Sequence, residues 1–168
     1  MGDIQHLSGS EGIKKLQVLS RQVDMCMFCT DLGSSPFQTR PMSTRDVDDE
    51  GNIWFFSRES SHKNFEIKQD DEVQLIYAQP DNSHFLSVYG EADIIKSKEK
   101  AEELWSAFAK TWFNDGVDDP ELTIIRVKPK DVYYWDTKHG RMVSLLKIVA
   151  GAVTGKQMDD GIEGKLKV

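Results

Sequence analysis

Short runs rich in β-branched and aromatic residues recur along most of this chain, at 23–30, 37–45, 52–57, 73–79, 85–95, 122–127 and 132–135. Turn-forming clusters separate them: Gly33-Ser34-Ser35-Pro36, Asp49-Glu50-Gly51-Asn52 and Pro80-Asp81-Asn82. Strands this short, joined by tight turns, predict a mainly β protein built as an antiparallel barrel, because closure is how such strands avoid exposed edges. Helical spacing is confined to a few places. Ile13, Leu16 and Leu19 predict an amphipathic helix over 10–20 with Ser10 as its cap, covering one barrel end. A short helix is expected over 61–68. Ala101, Leu104, Trp105, Phe108 and Trp112 form an apolar stripe that predicts a longer helix over 97–112. Met142, Leu145, Leu146, Val149 and Val153 predict a C-terminal helix, and residues 157–168 are expected to be a mobile tail.

At 168 residues the chain suits one domain, with its core over about 13–156. The formal net charge of -7 argues against non-specific binding to nucleic acid or anionic membranes, which require a dense basic surface. No segment approaches the ~20 apolar residues that span a bilayer, and the first residues show no secretory pattern, so a cytoplasmic protein is expected.

Against that acidic background the stretch from Arg40 to Lys63 stands out. Arg40-Pro41-Met42-Ser43-Thr44-Arg45 leads through an acidic turn into Trp54-Phe55-Phe56-Ser57, and then to Ser60-Ser61-His62-Lys63. Two strands joined by a turn would set cations and hydroxyls around one patch, the donors a phosphate monoester needs, with aromatic side chains nearby for a flat ring. A hairpin with a solvated basic rim, followed by a capped helix, is the plainer reading.

The order and spacing of these residues resemble the FMN-binding region of the pyridoxamine phosphate oxidase-like split barrels, especially the general stress protein branch. The resemblance spans roughly 13–156 and is sharp at 40–63 and at Trp135. It implies an FMN-binding split β-barrel with peripheral helices, in which Arg40, Pro41, Met42, Ser43, Thr44 and Arg45 run along the flavin. It also implies that Phe56 and Ser57 form an aromatic-hydroxyl pair on the next strand and that Ser61, His62 and Lys63 surround the phosphate. Trp135 resembles a tryptophan that approaches the flavin, although an aromatic-rich strand is also ordinary core. A homodimer with the cofactor at its interface is implied as well.

Where the oxidase has an arginine, this chain has His62, a weaker and pH-dependent cation. The oxidase's substrate-binding Tyr, Arg and Ser and its Arg-x-His element have no counterpart here: 97–112 offers no such set, and His139-Gly140-Arg141 has the wrong order. Pyridoxamine phosphate oxidation is therefore not expected. Expected instead is a flavin-dependent oxidoreductase of unassigned substrate, with a non-catalytic flavin-binding or redox-sensing module as the alternative. Deazaflavin and haem are further options for the cofactor.

Other motifs carry less. Cys26 and Cys29 lie on a strand where residues three apart face opposite ways, which suits core thiols and not a metal pair. Gly151 to Lys156 imitates a phosphate-binding loop but is one residue short, lacks the following Ser or Thr, and follows no strand, so nucleotide hydrolysis is not expected. His6, His84 and His139 have no helix-spaced partners, and no metal site is expected.

Overall fold

The fold is taken from a computed structural model, which describes residues 3–107, 109–138 and 160–168. In chain order the elements are β1 (Asp3–Ile4), β2 (Leu7–Ser8), α1 (Gly9–Val23), β3 (Met25–Thr30), β4 (Gln38–Ser43), β5 (Asp46–Val47), β6 (Ile53–Arg58) and α2 (His62–Gln69). There follow β7 (Glu72–Gln79), β8 (His84–Ile95), α3 (Lys98–Leu104), β9 (Leu122–Thr137) and β10 (Gly161–Lys167). The protein is mainly β with peripheral helices, a split barrel in which β1-β10-β9-β8-β7-β3-β4 are successive neighbours and β6 pairs with β9. The pairings are antiparallel apart from β1 and β2, two-residue strands that run parallel to β10.

The long central strand β9 makes the split possible. Its first half lies between β6 and the end of β8, and its second half between β10 and the start of β8. The sequence suggests two strands here, at 122–127 and 132–135, because Lys128-Pro129-Lys130 interrupts the apolar pattern. Pro129 instead falls opposite Gly90, where a register shift between Tyr89 and Gly90 accommodates the missing amide donor.

Alternation on the strands fills the barrel. Phe28 and Phe55 meet edge to face with centroids 5.2 Å apart, among buried Leu75, Val88, Ile125, Val132 and Tyr134. Leu16 and Leu19 of α1 are completely buried against this core, each worth roughly 1.5–3 kcal/mol relative to exposure. The helix is longer than expected and begins after Ser8 instead of Ser10. It stops at Asp24, whose backbone adopts φ +59° and whose N–H donates to Ser20 O. The Asp24 carbonyl then accepts from Thr44 N at 2.9 Å, tying the helix end to the β4–β5 corner.

Two further expectations about elements change. The helix expected over 97–112 closes at Leu104, because the chain turns extended at Trp105. That break lets Trp105 and Phe113 both pack against Phe56, at centroid distances of 5.7 and 6.1 Å, over a second apolar cluster containing Trp54, Leu104, Leu122 and Ile124. Phe108 lies outside the described residues, as does the helix expected around Met142 to Val153. Residues 161–167 of the expected mobile tail form β10, paired with β9 from Thr137↔Gly161 to Val132↔Leu166.

Candidate functional site

The hairpin that carries the basic stretch is locally determined. Asp48 accepts from the backbone N–H groups of Glu50 and Asn52 and from Trp54 Nε1 at 2.9 Å, while Gly51 takes φ +84°. Burial opposes the charge on Asp48, but hydrogen bonds from Asn52, Trp54 and Glu50 prevail and hold its carboxyl below the usual carboxylate range. The turn brings β6 back beside β5, and Arg45 N donates to Trp54 O at 2.7 Å.

A cavity of about 370 Å³ opens between β4, β6, the start of α2 and the segment after α3. Eight of the twelve expected site residues line it: Pro41, Met42, Ser43, Arg45, Phe56, Ser57, Ser61 and Lys63. Its wall is largely apolar, and its cations, Arg45, Arg58 and Lys63, stand at separate positions on the β4–β5 connection, β6 and α2. Such a space suits a flat ring with an anionic appendage.

Lys63 is partly buried, and its pKa is lowered by burial and then by the positive charge of Arg40, with Glu66 acting in the opposite direction. A half-desolvated ammonium facing another cation gains from an incoming anion, which relieves both effects. Arg40 itself is turned toward protein partners. Its guanidinium donates to Glu66 Oε2 at 2.8 Å and to Thr30 Oγ1, and it does not line the cavity. Arg45 is held at Ser106 Oγ, 3.1 Å from Nη1, and at Ser43 Oγ, with Asp24 Oδ1 at 3.9 Å.

The other expected residues are placed elsewhere. Thr44 is buried and shares a 2.7 Å hydrogen bond with Tyr77 Oη in the core. His62 is exposed at the first position of α2 and does not line the cavity. Trp135 lies on the outer face of β9, packed on Tyr133 with centroids 4.8 Å apart. Cys26 and Cys29 are free and buried, and burial pushes the Cys26 thiol up to about 12. At neutral pH it is a protonated core thiol.

Four cavity residues escaped the sequence reading: Met25, Arg58, Trp112 and Phe113. Arg58 donates from Nη2 to Trp112 O at 2.8 Å and lies 5.8 Å from the Phe113 ring centroid, fixing the irregular segment as the cavity's far wall. Strand alternation places Met25 opposite the buried Cys26 and was the one available signal. Phe113 could not be found from a pattern that treated 97–112 as a helix.

Sequence and fold comparisons bear on the family and the fold. Residues 11–159 match the family model described as pyridoxamine 5'-phosphate oxidase like. This chain belongs to that family. General stress protein 26 of Bacillus subtilis is 30% identical over 96 residues, covering 55% of this chain and 68% of that protein. Protein bli-3 of Neurospora crassa is 23% identical over 112 residues, 62% of this chain and 54% of its own length, so the match spans about half of that relative. Among solved structures, a candidate general stress protein 26 from Jannaschia sp. CCS1 superimposes with a TM-score of 0.79 at 19% identity, covering 95% of this chain and 99% of that one. The general stress FMN/FAD binding protein of Xanthomonas citri gives 0.64 at 20% identity, covering 74% and 87%. These structural likenesses bear on the fold. No helix among the described residues is long and apolar enough to cross a membrane.

Proposed function

We propose that this protein binds flavin mononucleotide in the cavity between β4, β6 and α2 and acts as a flavin-dependent oxidoreductase of the general stress type. The observation that carries the reading is the partly buried Lys63 beside Ser61 at one part of a largely apolar cavity, with Arg45, on β5's approach, and Arg58 as its further cations. Lys63 and Ser61 would hold the phosphate, Met42, Phe56 and Phe113 would pack on the ring, and Arg45 would lie where the reduced ring gathers negative charge. The X. citri neighbour, described as FMN/FAD binding, supports the same ligand class. When bound, a flavin supplies the electron-accepting chemistry, and the chain's own groups bind, orient and shield it from water.

The second half of the reading is a homodimer with the cavity at its seam. Pro41, Met27, Ile76, Ser87 and Tyr133 form one row across five strands. Met25, Phe85 and Trp135 stand on the same outer face, and Met25, Met27, Ile76 and Trp135 are each more than 40% exposed. Met25 and Pro41 belong to both this apolar face and the cavity, so a second copy seated there would complete the cavity's open side. Anaerobic mixing of the flavin-loaded protein with reduced nicotinamide nucleotides and other two-electron donors tests the activity. Rapid, donor-selective bleaching supports an oxidoreductase. Slow, unselective bleaching overturns it in favour of a flavin-binding or redox-sensing module.

A further inference from the structure

Ser57 and Ser61 stand side by side in the cavity with their hydroxyl oxygens 3.2 Å apart, and at first sight both are phosphate donors. Counting hydrogens separates them. Thr123 Oγ1 lies 3.1 Å from the Ser57 carbonyl, an atom that can only accept, so the one hydroxyl hydrogen of Thr123 is committed there. Thr123 Oγ1 must then accept from Asn64, whose Nδ2 is 2.9 Å away, which turns Asn64 Oδ1 toward Ser57. Ser57 Oγ is 2.5 Å from that oxygen and donates its only hydrogen to it. The contact between the serines is therefore Ser61 donating to Ser57. Asn64 and Thr123 are completely buried, which leaves water no access to the inner links that would have to reverse.

We infer that this polarised relay, closed on the backbone of Ser57, makes Ser57 a hydrogen-bond acceptor toward the cavity and leaves Ser61 as the hydroxyl that donates to an anion. Ser57 thus selects a ligand atom bearing a hydrogen, such as a ribityl hydroxyl or a ring N–H, and Asn64 and Thr123 are positioning residues that fix its polarity. For Ser57 to donate to a phosphate oxygen it would have to abandon Asn64 Oδ1, leaving a fully buried acceptor without a partner. Ser61 has no such commitment. It occupies the N-cap of α2 without a side-chain capping bond, so its hydroxyl can rotate from Ser57 to a ligand.

The assignment of ligand atoms rests on the flavin reading above, whereas the relay itself does not, and two measurements keep them apart. Neutron diffraction on deuterium-exchanged, ligand-free protein should place deuterium between Ser57 and Asn64 and between Thr123 and the Ser57 carbonyl. Deuterium on Ser57 directed into the cavity overturns the inference whatever the protein binds. In equilibrium titrations, Ser57→Ala should weaken FMN and riboflavin by the same factor, and Ser61→Ala should weaken FMN about tenfold more than riboflavin. Selective loss of FMN in Ser57→Ala overturns the acceptor role. Failure of the unaltered protein to take up either flavin removes the flavin reading, and the neutron map then decides the relay alone.

Discussion

Lys63 carries more of the anion-binding expectation than Arg40, because Arg40 spends its guanidinium on Glu66 and Thr30 while Lys63 faces the cavity. Lys63→Ala should weaken FMN by roughly 10- to 100-fold, the equivalent of one charge-assisted contact, and change riboflavin little. Isothermal titration with both ligands checks this, and equal losses would contradict it. The lowered pKa of Lys63 adds a sign: phosphate prefers the charged ammonium, so FMN affinity should fall as pH rises through that pKa, before the ordinary lysine range is reached. Riboflavin affinity should stay level over the same titration. Asp48 has the opposite pH dependence. Its folded pKa lies below the unfolded value, so its stabilisation is complete above about pH 4 and is lost as pH falls through the folded pKa. Asp48→Asn should cost roughly 1–2 kcal/mol at neutral pH and flatten the acid limb of stability, as followed by urea midpoints between pH 2 and pH 6.

Among the elements, what the sequence made legible was what local chemistry determines. Strand alternation located β3, β4, β6, β7 and β8 to within a residue or two, and the Asp48 to Asn52 turn declared the hairpin that carries the site. Long-range packing decided the remainder. The apolar stripe at 97–112 has helical spacing, yet tilted and edge-on packing of Trp105 and Phe113 against Phe56 takes the place of a continued α3 past Leu104. Gly161–Lys167 contains two glycines and two lysines and offers a weak pattern, and it becomes a strand because β9 presents an open edge to it. At Gly164 the close approach of Gln5 is part of that junction: a Cβ there would come within 2.0 Å of the Gln5 carbonyl oxygen. Gly164→Ala should therefore push the β1–β2 segment off β10 and cost roughly 1–3 kcal/mol. Thermal melting measures the loss, and hydrogen exchange should localise it to residues 3–8 and 161–167.

At the scale of the whole molecule, the same sheet has an apolar inside that makes a barrel and an outer face on which Met25, Met27, Ile76 and Trp135 are exposed, the face proposed above for a second copy. Its site was legible in part for this reason. Residues of one chain that line one cavity could be read as a local motif, whereas Trp135, 41% exposed on the outer face, does not line that cavity, and its expected role rests on the proposed dimer. Ile76→Glu places a charge in the middle of that face and should halve the mass seen by light scattering from a dimer to a single 19.1 kDa chain, with flavin affinity falling at the same time. A dimer that survives Ile76→Glu with unchanged mass would show that this face is not the interface. Whether the cavity holds a flavin is read from the absorption spectrum of the purified protein, with identification of any released chromophore and titration of the stripped protein with FMN. A flavin spectrum, FMN as the released species and saturable rebinding at one FMN per chain are expected. A colourless protein that neither releases a flavin nor takes one up would contradict the flavin site.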